Sequence, residues 1–496
     1  MTNTTKTFFR IFLLLFFLYQ VVSAQSYNSP LTMQGLNHTT GGPVASSAMG
    51  GITLSIKNDV STMFSNPAAL QTLDGIQISF VGLRENKIIE QSQQWYPLSY
   101  YSNFSLLMQG LSRDIPDPDT ILNYPPNAGD SVQRPFDAIG PNWKHAKTKT
   151  VPIQAFIGMP FSMSGIKCGA GLGVVEYANL NYFYQNNNVL SPDFGSFSSG
   201  VFILPTSDQD TYAKTVYWSQ TIHERKNSIY GYGGAISVAL SEKFAVGVSG
   251  MLLSGKANDY EFVVGRGVLR MHRNFFGVYP YRFDTTKVGT SEFRGNEFTI
   301  SGSYNVNNFS LGLSVKFPTT ITRDFNNDIR IDTADVAMLS YNQKGTDKMK
   351  LPWRATVGIG VALRQNLSVA LEYEYLPYGS AEYAYNSVSS KPWIDCSSWK
   401  AGIEYLLKPW LALRFGYRTQ MEVFQPEGNF NEGDPVGFTA YSCGIGCQVN
   451  NIRINFSYEY LKISYEDKWA TNVNINNELR QNFNANIVYT LPWQVF

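Results

Sequence analysis

The sequence predicts an all-β chain, a 14-stranded antiparallel transmembrane β-barrel, and three observations predict it. An export signal opens the chain. Apolar and polar residues then alternate with period two through many segments, the mark of half-buried strands. Very short and long connections also alternate strictly, the habit of barrels with tight turns on one rim and long loops on the other.

Residues 1–24 have the parts of a secretory signal: Lys6 and Arg10, an apolar run over 11–18, and the small residues Val22-Ser23-Ala24 before Gln25. The apolar run is too short to cross roughly 30 Å of hydrocarbon. Gln25 is not a cysteine, which argues against a lipid anchor. Taking Lys6 and Arg10 from the 39 basic residues leaves 37 against 38 acidic ones, and nothing in that balance suggests a nucleic-acid partner, which would need a concentrated basic face. Aromatic residues make up 14% of the chain and glycines number 41, a mixture suited to aromatic girdles and tight strand contacts.

The clearest strands lie late in the chain. Over 409–420, Leu411, Leu413, Phe415 and Tyr417 share one face and Ala412, Arg414, Gly416 and Arg418 the other. Segments 367–375 and 452–460 repeat the pattern. Short connections fall near 161–165, 240–243, 305–308, 363–366, 406–409 and 449–451, with seven long ones between. Both termini then lie on the short-turn side. The fourteen strands run over about 75–83, 148–160, 166–178, 228–240, 243–257, 296–306, 308–317, 353–364, 366–376, 397–407, 409–420, 437–449, 451–464 and 481–494. An even number closes the wall with no exposed edge. Segments 98–109 and 213–221 read as strand-like pieces of outer loops rather than further wall strands.

The alternation puts Cys443 and Cys447 on the lipid face, about 13 Å apart and beyond disulfide reach. Cys168 aligns with Ile166, Ala170 and Leu172, and with Cys396 these cysteines read as small apolar fillers. The chain ends in Phe496, as such barrels do for recognition by the barrel assembly machinery; a bulge near Pro492 would reconcile it with the phase of Ile487, Tyr489, Leu491 and Trp493.

Residues 25–74 precede the first strand and carry Met49-Gly50-Gly51, then Asp59 and Ser61-Thr62-Met63-Phe64-Ser65-Asn66-Pro67-Ala68. A small-residue stretch, an acidic residue before S-x-x-F-x-N-P-A, and then a strand resemble the opening of the FadL/TodX family of outer-membrane transporters for long-chain fatty acids and other hydrophobic compounds, in a Bacteroidetes-like form. Leu351-Pro352-Trp353-Arg354 with the hairpin 353–376, and the pair 437–464, resemble the family's later strands. The resemblance covers 40–80 and roughly 296–496; residues 84–295 show little beyond strand pattern.

The resemblance implies that 25–74 form a hatch in the lumen and 75–496 the barrel. Asn66, Pro67 and Ala68 would lock that hatch, through a local hydrogen bond, a fixed φ and close packing; an ordinary turn before the first strand is the plainer reading. It also implies sideways release through a gap in the wall, for which the glycine-rich 165–173 is the candidate, though barrel packing explains those glycines almost as well.

With the polar face inward, Arg354, Glu372, Glu374, Lys400, Glu404, Arg414, Arg418, Arg453 and Glu459 point into the lumen. They form either a self-paired network or a site where Arg354, Arg414 or Arg418 holds a fatty-acid carboxylate. Asp324, Asn326, Asp328, Asp332 and Asp335 stand at calcium-loop spacing, but Ile329 replaces the required glycine, so a solvated acidic outer loop is the stronger expectation. His38, His145, His223 and His272 fall in the hatch or outer loops, in no triad or zinc spacing, so no enzyme and no cofactor are expected.

The expected function is passive outer-membrane transport of fatty acids or other hydrophobic small molecules by a monomeric barrel. The alternative is a non-transporting barrel of the same kind, docked in a secretion or surface-assembly machine.

Overall fold

The computed structural model describes residues 42–95, 142–193, 214–271, 276–279, 283–333, 338–385, 388–391, 393–423, 436–469 and 472–492. The export signal, segment 98–109, His38, His272, Asp335 and Phe496 lie outside the described residues.

The wall is a closed antiparallel ring of β1 (Gly75–Trp95), β2 (Trp143–Met163), β3 (Ile166–Asn179), β6 (Ser228–Ala239), β7 (Phe244–Met271), β9 (Phe283–Val306), β10 (Phe309–Lys316), β13 (Arg354–Arg364), β14 (Leu367–Leu376), β17 (Cys396–Lys408), β18 (Leu411–Met421), β19 (Gly437–Val449), β20 (Ile452–Trp469) and β21 (Asn472–Pro492). Each pairs with the next, and β21 returns to β1 from Gly75↔Pro492 to Trp95↔Asn472, so fourteen strands leave no edge. The six short turns stand where the alternation put them. At 164–165 both Ser164 (φ 51°) and Gly165 (φ 81°) are left-handed, as the tightest hairpins require.

Outward side chains make the apolar band. Phe80, Ile157, Leu172, Val248, Ile300, Leu313, Ile359, Phe415, Phe456 and Ile487 are all exposed. Trp353, Trp399, Tyr417 and Tyr441 edge it on the loop side, and Tyr304, Phe309, Tyr405, Trp410 and Tyr489 on the short-turn side. An apolar belt between two aromatic girdles on a closed barrel defines a membrane-spanning wall. Among the described residues no helix is long and apolar enough to cross a membrane.

The structure differs from the sequence expectation on the loop side, where pairing outruns the apolar alternation. β7 continues to Met271 and β9 begins at Phe283, well beyond the expected ends at 257 and 296. Seven further strands extend this rim: β4 (Tyr182–Asp193), β5 (Lys214–Lys226), β8 (Phe276–Tyr279), β11 (Thr319–Thr333), β12 (Leu339–Leu351), β15 (Glu382–Tyr385) and β16 (Val388–Ser390). Segment 213–221 lies largely in β5, paired to β4 and β7 outside the wall ring. The reason is physical: beyond the hydrocarbon, outward positions face water and need no apolar residue, while backbone pairing continues.

His145 and His223, expected off the strands, lie on β2 and β5 in this extension. His145 stacks on Phe183, centroids 3.8 Å apart, and the half-buried His223 meets Tyr182 edge-on at 6.4 Å. The calcium-spaced residues are corrected too. Residues 324–333 are extended within β11, so Asp324 and Asp332 are separated by roughly 26 Å and cannot wrap one ion. Asp324 instead pairs with Arg294, and Asn342 donates to Asn326 and Asp328.

Candidate functional site: the lumen and its internal segment

Residues 42–74 reach the wall from many sides. A short helix α1 (Val44–Ala48) is followed by Gly50 (φ 71°) and Gly51 (φ 89°), and two 3₁₀ turns span Val60–Thr62 and Pro67–Thr72. Their bonds go to inward side chains. Glu372 on β14 accepts the backbone N–H groups of Thr53 (2.7 Å) and Leu54 (2.5 Å). Ser442 on β19 accepts from Gly50 N (2.9 Å) and donates to Ala48 O (3.1 Å). Gln77 on β1 accepts from Val60 N (3.0 Å), and Ser314 on β10 donates to Ser65 O (2.8 Å).

Asp59 begins the first 3₁₀ turn by accepting from Ser61 N at 3.0 Å. Its other oxygen meets Arg453 of β20 at 3.1 Å, and Arg453 also donates to Asn58 O at 2.9 Å. An acidic residue ahead of this turn thus joins the segment to the wall.

Asn66 is buried and donates through Nδ2 to Leu54 O (3.2 Å), while its Oδ1 finds no partner among the described residues. Pro67 opens the second 3₁₀ turn, where its missing N–H costs nothing. Ala68 donates its N–H to Ser301 of β9 (2.8 Å) and lies so close to β7 that a Cβ on Gly247 would stand 2.4 Å from its nitrogen. The Asn-Pro-Ala residues therefore meet β7 and β9, on the wall away from the entry into β1.

The glycine run of β3 is not a gap. Residues 166–174 pair continuously with β2 and residues 168–176 with β6. A Cβ on Gly169 would lie 2.3 Å from Leu70 O, so these glycines make room for the internal segment. Register irregularities of the wall fall instead between Val81 and Leu83 of β1, between Glu176 and Ala178 of β3, and near the short turns at Ala362/Arg364 of β13 and Leu406/Lys408 of β17.

All three arginines proposed for a carboxylate face inward, and each is ion-paired. Arg354 pairs with Glu297 of β9, Arg414 with Glu404 (2.6 Å) and Arg418 with Glu459 (3.1 Å). Lys400 meets Glu374 at 2.8 Å. Glu297 lies outside the residues singled out from sequence. Besides Arg354 it takes Lys316 Nζ at 2.9 Å and the Tyr177 hydroxyl at 2.9 Å, so two cations share one carboxylate. Its signal was present: Phe298 and Ile300 face lipid, which turns Glu297 inward by alternation.

Glu176, Lys316, Arg354, Glu374, Lys400, Arg418 and Arg480 line a cavity of about 190 Å³ above the segment, whereas Arg414 and Glu404 line a separate cavity of about 400 Å³ toward the short turns. Nearer the loop rim an apolar cluster stands beside further ion pairs. Tyr378 and Trp393, from the connection between β14 and β17, are buried in one cluster with Phe293, Ile321, Leu351 and Leu376. Among the described residues no group of three or more His, Cys, Asp or Glu side chains could hold a metal.

These contacts lie inside a closed fourteen-strand membrane barrel, and that fold has solved counterparts. The fold is similar to a Pseudomonas aeruginosa FadL homologue (TM-score 0.57, 12% identity, 92% of this chain and 99% of that one). It is also similar to the Pseudomonas putida toluene transporter TodX (TM-score 0.54, 14% identity, 92% of this chain and all of that one, 100%). No family profile and no curated protein matches the sequence.

Proposed function

We propose that this chain is an outer-membrane barrel of the FadL/TodX kind that passes hydrophobic small molecules by passive diffusion, with 25–74 as its hatch. The carrying observation is the segment 42–74, bonded to β1, β9, β10, β14, β19 and β20 beneath an apolar mouth. In this reading Asn66, Pro67 and Ala68 lock the hatch against β7 and β9. Of the lumen arginines, Arg354 is the one suited to a fatty-acid carboxylate, because it lines the cavity and shares Glu297 with Lys316, whereas Arg414 and Arg418 each hold a carboxylate of their own. Trp393 and its neighbours would take the acyl chain.

A docking barrel in a secretion or surface-assembly machine is the second reading. The closely paired, charged lumen favours it, since a sealed interior suits a scaffold as well as a channel. Native mass spectrometry of the detergent-purified barrel, followed by oleate binding, separates the two. Transport predicts bound hydrophobe, and weaker oleate binding in Arg354→Gln. A barrel without bound hydrophobe that co-purifies with large partners would sink the transport reading.

A further inference from the structure

The lipid-facing surface is indented where β21 meets β1, although the strands pair without a break. Outward positions on β1 read Phe80, Gly82, Arg84, and their partners on β21 read Ile487, Ala485, Phe483. The smallest residues, Gly82 and Ala485, stand side by side, and Ala485 is opposite Phe456 of β20. Phe80, Ile487, Phe456 and Phe483 are all exposed around them, so the pair forms the floor of an apolar groove of about 620 Å³. A Cβ on Gly82 would meet nothing within 4 Å, so the space is open to the lipid side.

The groove has one charged end. Arg84 is exposed, and no ion pair or hydrogen bond engages it among the described residues. β1 rises from the short-turn rim at Gly75 to the loop rim at Trp95, so Arg84 stands on the loop side of Gly82. There the outward residues change from Phe80 to Arg84 and Asn86, the change expected where hydrocarbon gives way to head groups. An unpaired guanidinium at that height faces the phosphate layer, and its planar fork matches a phosphate bidentately.

We propose that this groove is a docking site for a phosphate-bearing membrane lipid of the leaflet on the long-loop side. One acyl chain lies over Gly82 and Ala485, and the phosphate is held by Arg84. The site is on the outer wall and is independent of what the lumen carries.

The test offers the detergent-purified barrel phosphatidylglycerol, phosphatidylcholine of the same chains, or oleate, and counts retained molecules by native mass spectrometry. The intact chain is expected to retain one phosphatidylglycerol about fivefold more readily than phosphatidylcholine, the preference one basic residue at a membrane surface confers. Arg84→Gln should abolish that preference. Gly82→Leu should lose both lipids, and Ala485→Leu does the same if the first variant fails to fold, with folding checked by the heat-dependent gel shift. Equal retention of the two phospholipids by the intact chain overturns the proposal, as does unchanged retention in the filled-groove variants. Oleate retained by the intact chain and lost on Gly82→Leu would overturn it in favour of a free fatty acid.

Discussion

The contact between Asp59 and Arg453 shows how single residues join the internal segment to the wall. Asp59 is only 3% exposed, and Arg453 is the cation that answers it. Arg453→Ala leaves a buried carboxylate unpaired and should cost about 3 kcal/mol, read from the midpoint of the heat-dependent gel shift. Unchanged stability would mean that water reaches Asp59. A second contact is steric. A Cβ at Gly416 would lie 1.9 Å from Gly50 N, so Gly416→Val should displace the segment, cost about 2 kcal/mol or more, and open 42–74 to protease. Resistance equal to that of the unaltered chain would show that Gly50 yields. Alternation revealed which faces Arg354, Arg414 and Arg418 occupy, because it reports the side of the wall and nothing more. Their partners depend on which residues lie opposite across the ring and on the path of the segment, information that no local period carries. Glu297 was legible in principle, and Asp59 was legible as a motif residue though its bond to Arg453, 394 positions away, was not.

At the scale of elements, the wall was readable because hydrocarbon imposes a strict rule on outward positions, and the rule stops at the membrane edge. β9 illustrates it: Phe298, Ile300 and Tyr304 face lipid, whereas Lys287 and Ser291 of the same strand serve a charged network in the extension. There Arg225 pairs with Asp259 at 2.5 Å, Lys287 with Glu261 at 3.2 Å, and Arg323 with Asp347. Burial raises the Asp259 carboxyl, but Arg225 and Arg323 outweigh it and hold the group at about 2. Burial pushes His223, on β5 opposite Glu261, down to about 4, against the pull of that carboxylate. The folded extension therefore keeps His223 neutral where the unfolded chain would bind a proton. Its contribution is complete above pH 6.5 and is lost as pH falls from 6.5 towards about 4. The protection factor of amides in Lys214–Lys226, which is exchange taken relative to the intrinsic rate at each pH, should fall over that window; His223→Gln should remove the fall there while leaving the further loss between 3.8 and about 2, which belongs to Asp259. A protection factor that is flat from pH 6.5 to 4 would place water beside His223.

For the whole molecule, the wall and the internal segment are separable in their bonding, which makes the segment's role testable by removal. Every wall strand completes its ladder with two wall neighbours, so the ring does not depend on 42–73 for backbone pairing. What the segment supplies is occupancy: its main chain lies against Gly169, Gly247 and Gly416, and its amides satisfy Glu372, Ser301 and Ser442. Those side chains are polar, so water can replace the segment around them at modest cost, and the barrel should still close when residues 42–73 are deleted. The deleted barrel should then show discrete ion-conducting steps in a planar bilayer, since its interior is lined by charged and amide groups. The intact chain should show few or none, with the segment, the paired arginines and the Tyr378–Trp393 cluster in series along the axis. Trp393→Ala combined with the deletion should raise the step size, because it trims the apolar mouth that the deletion leaves in place. Equal conductance in the intact and deleted barrels would mean that ions bypass the segment, and it could not then be the element that closes the lumen.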